Sequence, residues 1–138
     1  VPTETRSVIE EFLTRVVAGE ADRIAELFAE EVDWQLNWPA GEHPTVPWIR
    51  PRRTRSDVAD HFREIAEAHT PGAPPSRAPE ILVDGADAVL FAEISQVAKA
   101  TGRAYTALCA LRFTVRDGVI TRYHVYEDSL AVAVALGG

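Results

Sequence analysis

Three side chains in this sequence combine a titratable group with apolar neighbours: His61, Tyr123 and Glu127. His61 lies beside Phe62 at the edge of an apolar helical face formed by Val58, Phe62, Ile65 and His69. An imidazole there can exchange a proton near neutral pH, and it can equally satisfy a backbone carbonyl at a helix boundary. Tyr123 alternates with apolar residues, so its phenol either donates to a carbonyl or enolate or stands with its ring buried and its hydroxyl at a rim. Glu127 follows Val125 on the same side of a strand. In an apolar cavity its pKa rises, which suits acid and base work at neutral pH; at a solvated strand end it would do nothing. The neighbouring Asp128 reads as the cap of a terminal helix over Ser129–Leu136.

Other reactive types read as structural. His69 sits where it can meet the negative end of a helix, and His124 belongs to an outer sheet face. Asp33 alternates with Trp34 and points outward toward an arginine, because tryptophan gains more from burial. Cys109 reads as a small hydrophobe without an identifiable base. No cysteine and histidine array has the spacing of a zinc site, so no metal is expected.

The elements that position these groups follow from periodicity. Ile9, Phe12, Leu13, Val16 and Val17 recur at helical spacing and predict a helix over Thr5–Ala18, ended by Gly19. Asp22 is the expected cap of a short second helix carrying Ile24, Leu27 and Phe28 inward. Val32–Asn37 predicts a strand around Trp34. The five prolines and glycines of 38–53 predict a loop, whose Trp38 and Trp48 form a wall or lid. Thr54 and Asp57 predict a capping box for a third helix that stops at Thr70. Arg77–Val83 predicts a strand, and then a meander of Val89–Lys99, Tyr105–Val115 and Val119–Asp128.

The turns set the meander's register. A two-residue turn at Thr101-Gly102 places Ile94 opposite Cys109 and Leu90 opposite Phe113. A three-residue turn at Arg116-Asp117-Gly118 places Leu111 opposite Tyr123 and Cys109 opposite Val125. One apolar face results: Leu90, Ala92, Ile94, Ala107, Cys109, Leu111, Phe113, Tyr123 and Val125, with Gln96 and Glu127 as polar ends. The opposite face holds Phe91, Glu93, Leu108, Arg112, Arg122, His124 and Tyr126. There Glu93 is expected to reach Arg112 and Arg122, and the aromatic, mixed character suits a homodimer contact.

With 138 residues the chain is expected to be one domain, 1–138. A net charge of -7 disfavours nucleic acid as a partner. No apolar run has membrane-spanning length, Val1-Pro2-Thr3-Glu4 is not expected to be a leader, and no membrane partner is expected. The single cysteine fits a reducing cytoplasm. Arg50, Arg52, Arg53 and Arg55 form the sole basic cluster, read as a solvated loop with the capacity to gather an anion at a helix N-terminus.

Several stretches carry a resemblance. Phe12–Val17 leading into Ala18-Gly19-Glu20-Ala21-Asp22, Leu27-Phe28-Ala29-Glu30-Glu31-Val32, Thr54-Arg55-Ser56-Asp57-Val58 and Asp117-Gly118-Val119-Ile120 before Arg122–Asp128 resemble the nuclear transport factor 2-like superfamily. The branch is that of SnoaL-like polyketide cyclases and ketosteroid isomerases. The resemblance implies an α+β fold: a cone-shaped, curved antiparallel sheet packed on three N-terminal helices and enclosing an apolar pocket, often in a dimer. Such folds host several chemistries and also binders, so activity must be argued from the site. The catalytic tyrosine, aspartate base and protonated aspartate of ketosteroid isomerases align here with Phe12, Leu36 and Cys109, which makes that activity unexpected. The cyclase and epoxide hydrolase aspartate of the last strand aligns with Val125. The epoxide hydrolase arginine and second aspartate fall near Ala92 and Ile94, and its asparagine has a counterpart in Asn37.

The resulting expectation is a cofactor-independent enzyme moving a proton by isomerisation, cyclisation or dehydration of an apolar cyclic or polyketide-like substrate. His61, Tyr123 and Glu127 are its expected catalytic groups. Phe12, Trp34, Leu36, Trp38, Trp48, Phe62, Ile94, Cys109, Leu111 and Val125 are expected to bind the substrate, with titratable atoms confined to the rim. The alternative is a non-catalytic protein that sequesters an apolar ligand.

Overall fold

The computed structural model describes residues 2–138; Val1, part of the stretch read above for a leader, lies outside them. Helix α1 spans Pro2–Ala18 and buries Ile9 and Phe12. Gly19, at φ 72, ends it in the left-handed region where a side chain would be strained. Helix α2 is only Ala21–Ala25, with Glu20 at its N-cap rather than Asp22. Asp22 is instead paired to Arg63 at 2.8 Å. Phe28 does not extend α2 but opens strand β1, Phe28–Leu36, whose register with its neighbour slips between Phe28 and Asp33. The slip lets Val32 N–H donate to Arg53 C=O at 2.8 Å, which ties β1 to the start of the next helix.

That helix, α3, runs Arg55–Ala68 from the expected capping box: Asp57 N–H donates to the Thr54 hydroxyl, and Thr54 N–H donates to the Asp57 carboxylate. It ends at His69, in extended conformation, and the chain then pairs as β2, His69–Pro71, an element the prolines after it concealed from the sequence reading. Strands β3 (Glu80–Asp84), β4 (Asp87–Ala98), β5 (Ala104–Arg116) and β6 (Val119–Glu127) follow, then α4, Ser129–Ala135. Asp128 caps α4 by accepting from Ala131 N–H at 3.1 Å.

The fold is α+β, with a six-stranded sheet in the order β1-β6-β5-β4-β2 and β3 on the same edge of β4 as β2. The sheet is mixed and open, not wholly antiparallel, because β1 runs parallel to β6. Parallel pairing is open to β1 because α3 and the meander, not a hairpin, separate it from its partner. No helix among the described residues is long and apolar enough to cross a membrane.

Both expected turns differ, yet the faces survive. The β4–β5 connection is a four-residue loop, Lys99–Gly102, closed by Ala98 N–H on Arg103 C=O, so Ala92 rather than Ile94 lies opposite Cys109. The β5–β6 turn has two residues, Asp117 and Gly118, at φ 53 and 77, and a bulge between Thr114 and Val115 restores the alternation. Phe113 therefore meets Tyr123, and Cys109 meets Glu127. Up to the bulge each register is displaced from expectation by two residues, which leaves those side chains on their expected faces; past it the pairs Val115–Ile120 and Arg116–Val119 are displaced by one, and Ile120 is buried. On the outer face, Glu93 accepts from Ser76 N–H and Oγ–H at 2.9 and 2.6 Å, not from Arg112 or Arg122. Arg122 and His124 instead hold Asp33, at 3.2 and 3.1 Å.

The core is aromatic at its centre. Phe12 meets Phe28, Phe62 and Phe113 edge-on, with ring centroids 6.2, 5.8 and 5.1 Å apart. This stack closes one end of the space between α1, α3 and the sheet.

Candidate functional site

Beyond that stack the helices and sheet diverge around a cavity of about 380 Å³. Phe12, Leu13 and Val16 of α1 wall one side, and His61, Phe62 and Ile65 of α3 another. The inner sheet face supplies Leu90, Ala92 and Ile94, then Cys109 and Leu111, then Tyr123, Val125 and Glu127. Leu36, Trp48 and Ile49 close it from the β1 end and the proline-rich loop.

Polar groups are not confined to the rim. Tyr123 is 3% exposed and His61 is 4% exposed, so both lie well inside. Tyr123 is carried in by β6, which is flanked by β1 and β5, and His61 by the buried face of α3.

Glu127 lines the cavity with its backbone opposite Cys109. Burial raises its pKa above the ordinary carboxylate value; the Trp38 indole N–H, donating to Oε1 at 2.6 Å, works against that rise, and the Asp128 charge adds to it. The carboxylate is felt around it. The Cys109 thiol is pushed up to about 11 by burial and by Glu127. Tyr123 is held well above the phenol range by burial, with Cys109 and Glu127 contributing, and Tyr105 is raised by burial and Glu127. The Tyr123 hydroxyl makes no hydrogen bond among the described residues.

His61 packs edge-on against Trp34 and Phe62, centroids 4.7 and 5.0 Å away, with Nδ1 3.3 Å from Trp48 C=O. Burial, and the nearby Arg52 charge, lower its pKa to about 3. The ring is therefore uncharged at neutral pH.

Of the residues expected to contact substrate, Phe12, Leu36, Trp48, Phe62, Ile94, Cys109, Leu111 and Val125 line this cavity. Trp34 and Trp38 do not; they face a separate, open hollow formed with Pro39–Pro44 of the loop. Trp34 packs behind the wall on Tyr123 at 4.8 Å, and Trp38 reaches the site only through its bond to Glu127. The arginine cluster is also not a free anion site. Arg52 is buried against Glu64 and Trp48 C=O, Arg50 pairs with Glu64 at 2.6 Å, and Arg55 donates to Phe28 C=O.

A second polar group stands in the wall, where Tyr105, not among the expected site residues, meets His69 and the expected polar end Gln96. The Tyr105 hydroxyl lies 2.7 Å from His69 Nε2 and 3.1 Å from Gln96 Oε1. His69 Nδ1 lies 2.7 Å from Ile65 C=O, at the end of α3, as its helix-end reading required. The signal was present: Tyr105 shares parity with Ala107 and Cys109, so the alternation that found the inner face reaches it one step further.

Residues 9–123 match the model of the SnoaL-like domain family. The chain belongs to that family. Solved structures share the fold across nearly the whole of this SnoaL-like domain. A nuclear transport factor 2-like protein from Burkholderia xenovorans LB400 is 22% identical, with a TM-score of 0.77, covering 99% of this chain and 98% of its own. A protein from Xanthomonas campestris pv. campestris that bears a provisional polyketide cyclase name is 17% identical, TM-score 0.77, with 98% of both chains covered. TerC, co-crystallised with polyporic acid, is 16% identical, TM-score 0.76, covering 98% of this chain and 99% of its own. Identities this low carry the fold and not the reaction. No curated protein matches the chain.

Proposed function

We propose that this SnoaL-like domain is a cofactor-independent enzyme that moves a proton on an apolar cyclic carbonyl compound, with Glu127 as base and then acid. The observation that carries the proposal is a carboxyl inside a largely carbon-lined cavity, its pKa raised by burial. A carboxyl whose pKa is raised is a stronger base than a hydrated one. Glu127 takes a proton from the carbon next to the carbonyl, the electron pair moves onto the carbonyl oxygen, and the Tyr123 O–H donates to that enolate. Return of the proton to a different carbon completes an isomerisation; attack of the enolate carbon on a second carbonyl, whose oxygen takes the proton back from Glu127, completes a cyclisation. Trp38 orients the carboxyl. In this reading His61, an acid/base candidate from the sequence, is neutral and shapes the wall.

The test is deuterium exchange of 2-tetralone in heavy water, followed by NMR. Wild type accelerates exchange over buffer, and Glu127→Gln loses at least about 100-fold of that acceleration. Equal rates for the two proteins would remove Glu127 from the chemistry. A second reading, sequestration without turnover, draws support from the same figures. With His61 uncharged and the phenols and thiol protonated, few groups in the wall besides Glu127 are left to move a proton. In that case 2-tetralone binds but does not exchange.

We infer a homodimer through the outer sheet face, a reading supported by Phe91, Leu108 and Tyr126, which are 44%, 59% and 47% exposed. Light scattering on Leu108→Glu checks this, with a halved mass expected.

A further inference from the structure

The direction of one proton fixes what the Tyr105 end of the cavity can recognise. A carbonyl oxygen only accepts, so the contact with Ile65 C=O at 2.7 Å requires the proton of His69 to sit on Nδ1. His69 Nε2 is then a bare lone pair, 2.7 Å from the Tyr105 hydroxyl, and must receive its proton. Burial lowers the His69 pKa, so the imidazole stays neutral and this arrangement persists at neutral pH. A phenol has one proton. The Gln96 contact at 3.1 Å then needs its donor from the amide, which a half-turn of that group supplies. With the amide in either orientation, Tyr105 meets the cavity as an acceptor and not as a donor.

The other end is opposite in kind. Tyr123 has an unengaged O–H, and Glu127 sits on the row of Cys109. Along β5, Tyr105 stands four residues, roughly 13 Å of strand, from the Cys109 row that carries Glu127, and Tyr123 stands beyond that row, opposite Phe113. Between these ends the wall is Ala92, Ile94, Cys109 and Val125.

We propose that the Tyr105 end selects a ligand hydroxyl, making the substrate a hydroxylated cyclic ketone whose O–H meets Tyr105 and whose carbonyl meets Tyr123. The ketone end rests on the proton-transfer reading of Glu127; the hydroxyl end stands on the geometry of Tyr105, His69 and Ile65 alone. His69 is a positioning residue, since it acts by holding the Tyr105 proton away from the cavity.

Calorimetric titration with 2-naphthol and with 2-methoxynaphthalene separates the two ideas. The probes share a shape, but only the first can donate. Wild type binds 2-naphthol on the order of tenfold more tightly, the worth of one buried neutral hydrogen bond. Tyr105→Phe, which keeps the ring and removes the acceptor, binds both probes within about twofold of each other. Equal affinities in wild type overturn the hydroxyl end while leaving the 2-tetralone exchange result, and with it the Glu127 reading, intact. A preference that survives in Tyr105→Phe assigns the discrimination to another group, Glu127 foremost, and also overturns it. Failure of both probes to bind overturns the hydroxyl end together with the cavity's role as a ligand site.

Discussion

Inside the cavity wall the His61 imidazole loses most of its hydration, and charging it there costs more than in water. Its folded pKa of about 3 lies below the ordinary 6.5, so between these values the unfolded chain binds the extra proton. The stability this confers is complete above 6.5 and is lost as pH falls toward 3. Relative to pH 7, wild type at pH 4 should lose on the order of 3 kcal/mol through this residue. The difference in urea midpoint between wild type and His61→Asn, measured across that range, checks it. Glu127 runs the other way. Its folded carboxyl holds a proton more tightly than the unfolded one, so stability falls as pH rises from the ordinary 4.5 through the raised value. Glu127→Gln keeps an acceptor for Trp38 and should be more thermostable than wild type at pH 8, with the gain vanishing by pH 4. Alternation in the sequence placed Glu127 and Tyr123 correctly. What it could not show was how Tyr105 and His69 meet, because the pair is made by β2, a three-residue strand without periodicity.

At the scale of elements, parity was legible and turn length was not. Apolar alternation specifies which face a residue takes, and burial enforces it, but a loop of two or four residues preserves that choice equally well. The β5–β6 turn shows how the ambiguity is resolved. Two consecutive residues at positive φ give a twist that matches the strands, and the bulge at Thr114/Val115 corrects the phase. Gly118→Ala should therefore cost about 1 kcal/mol, read from the denaturation midpoint. Gly72, which follows β2, is constrained by space rather than by φ. A Cβ there would stand 2.7 Å from Gln96 N on β4. Gly72→Ala should push this segment off β4, cost about 1–3 kcal/mol, and weaken 2-naphthol more than 2-methoxynaphthalene, because Gln96 neighbours Tyr105.

Taken whole, the molecule is a sheet and four helices, with α1 and α3 held off the sheet at one end and wedged against it by rings at the other. Phe12 is the wedge: it touches Phe28, Phe62, Phe113 and Tyr123. Phe12→Ala should cost about 3–5 kcal/mol, because the stiff surroundings close only partly on the void. The same rigidity keeps the cavity open beside it, and the bulged, parallel-edged sheet brings a carboxyl into that space. Site-resolved NMR titration of the Glu127 side-chain carboxyl carbon tests this arrangement most directly. The account requires a midpoint clearly above 4.5 in the free protein. A midpoint at or below that value would mean a hydrated carboxylate, and a cavity without its acid.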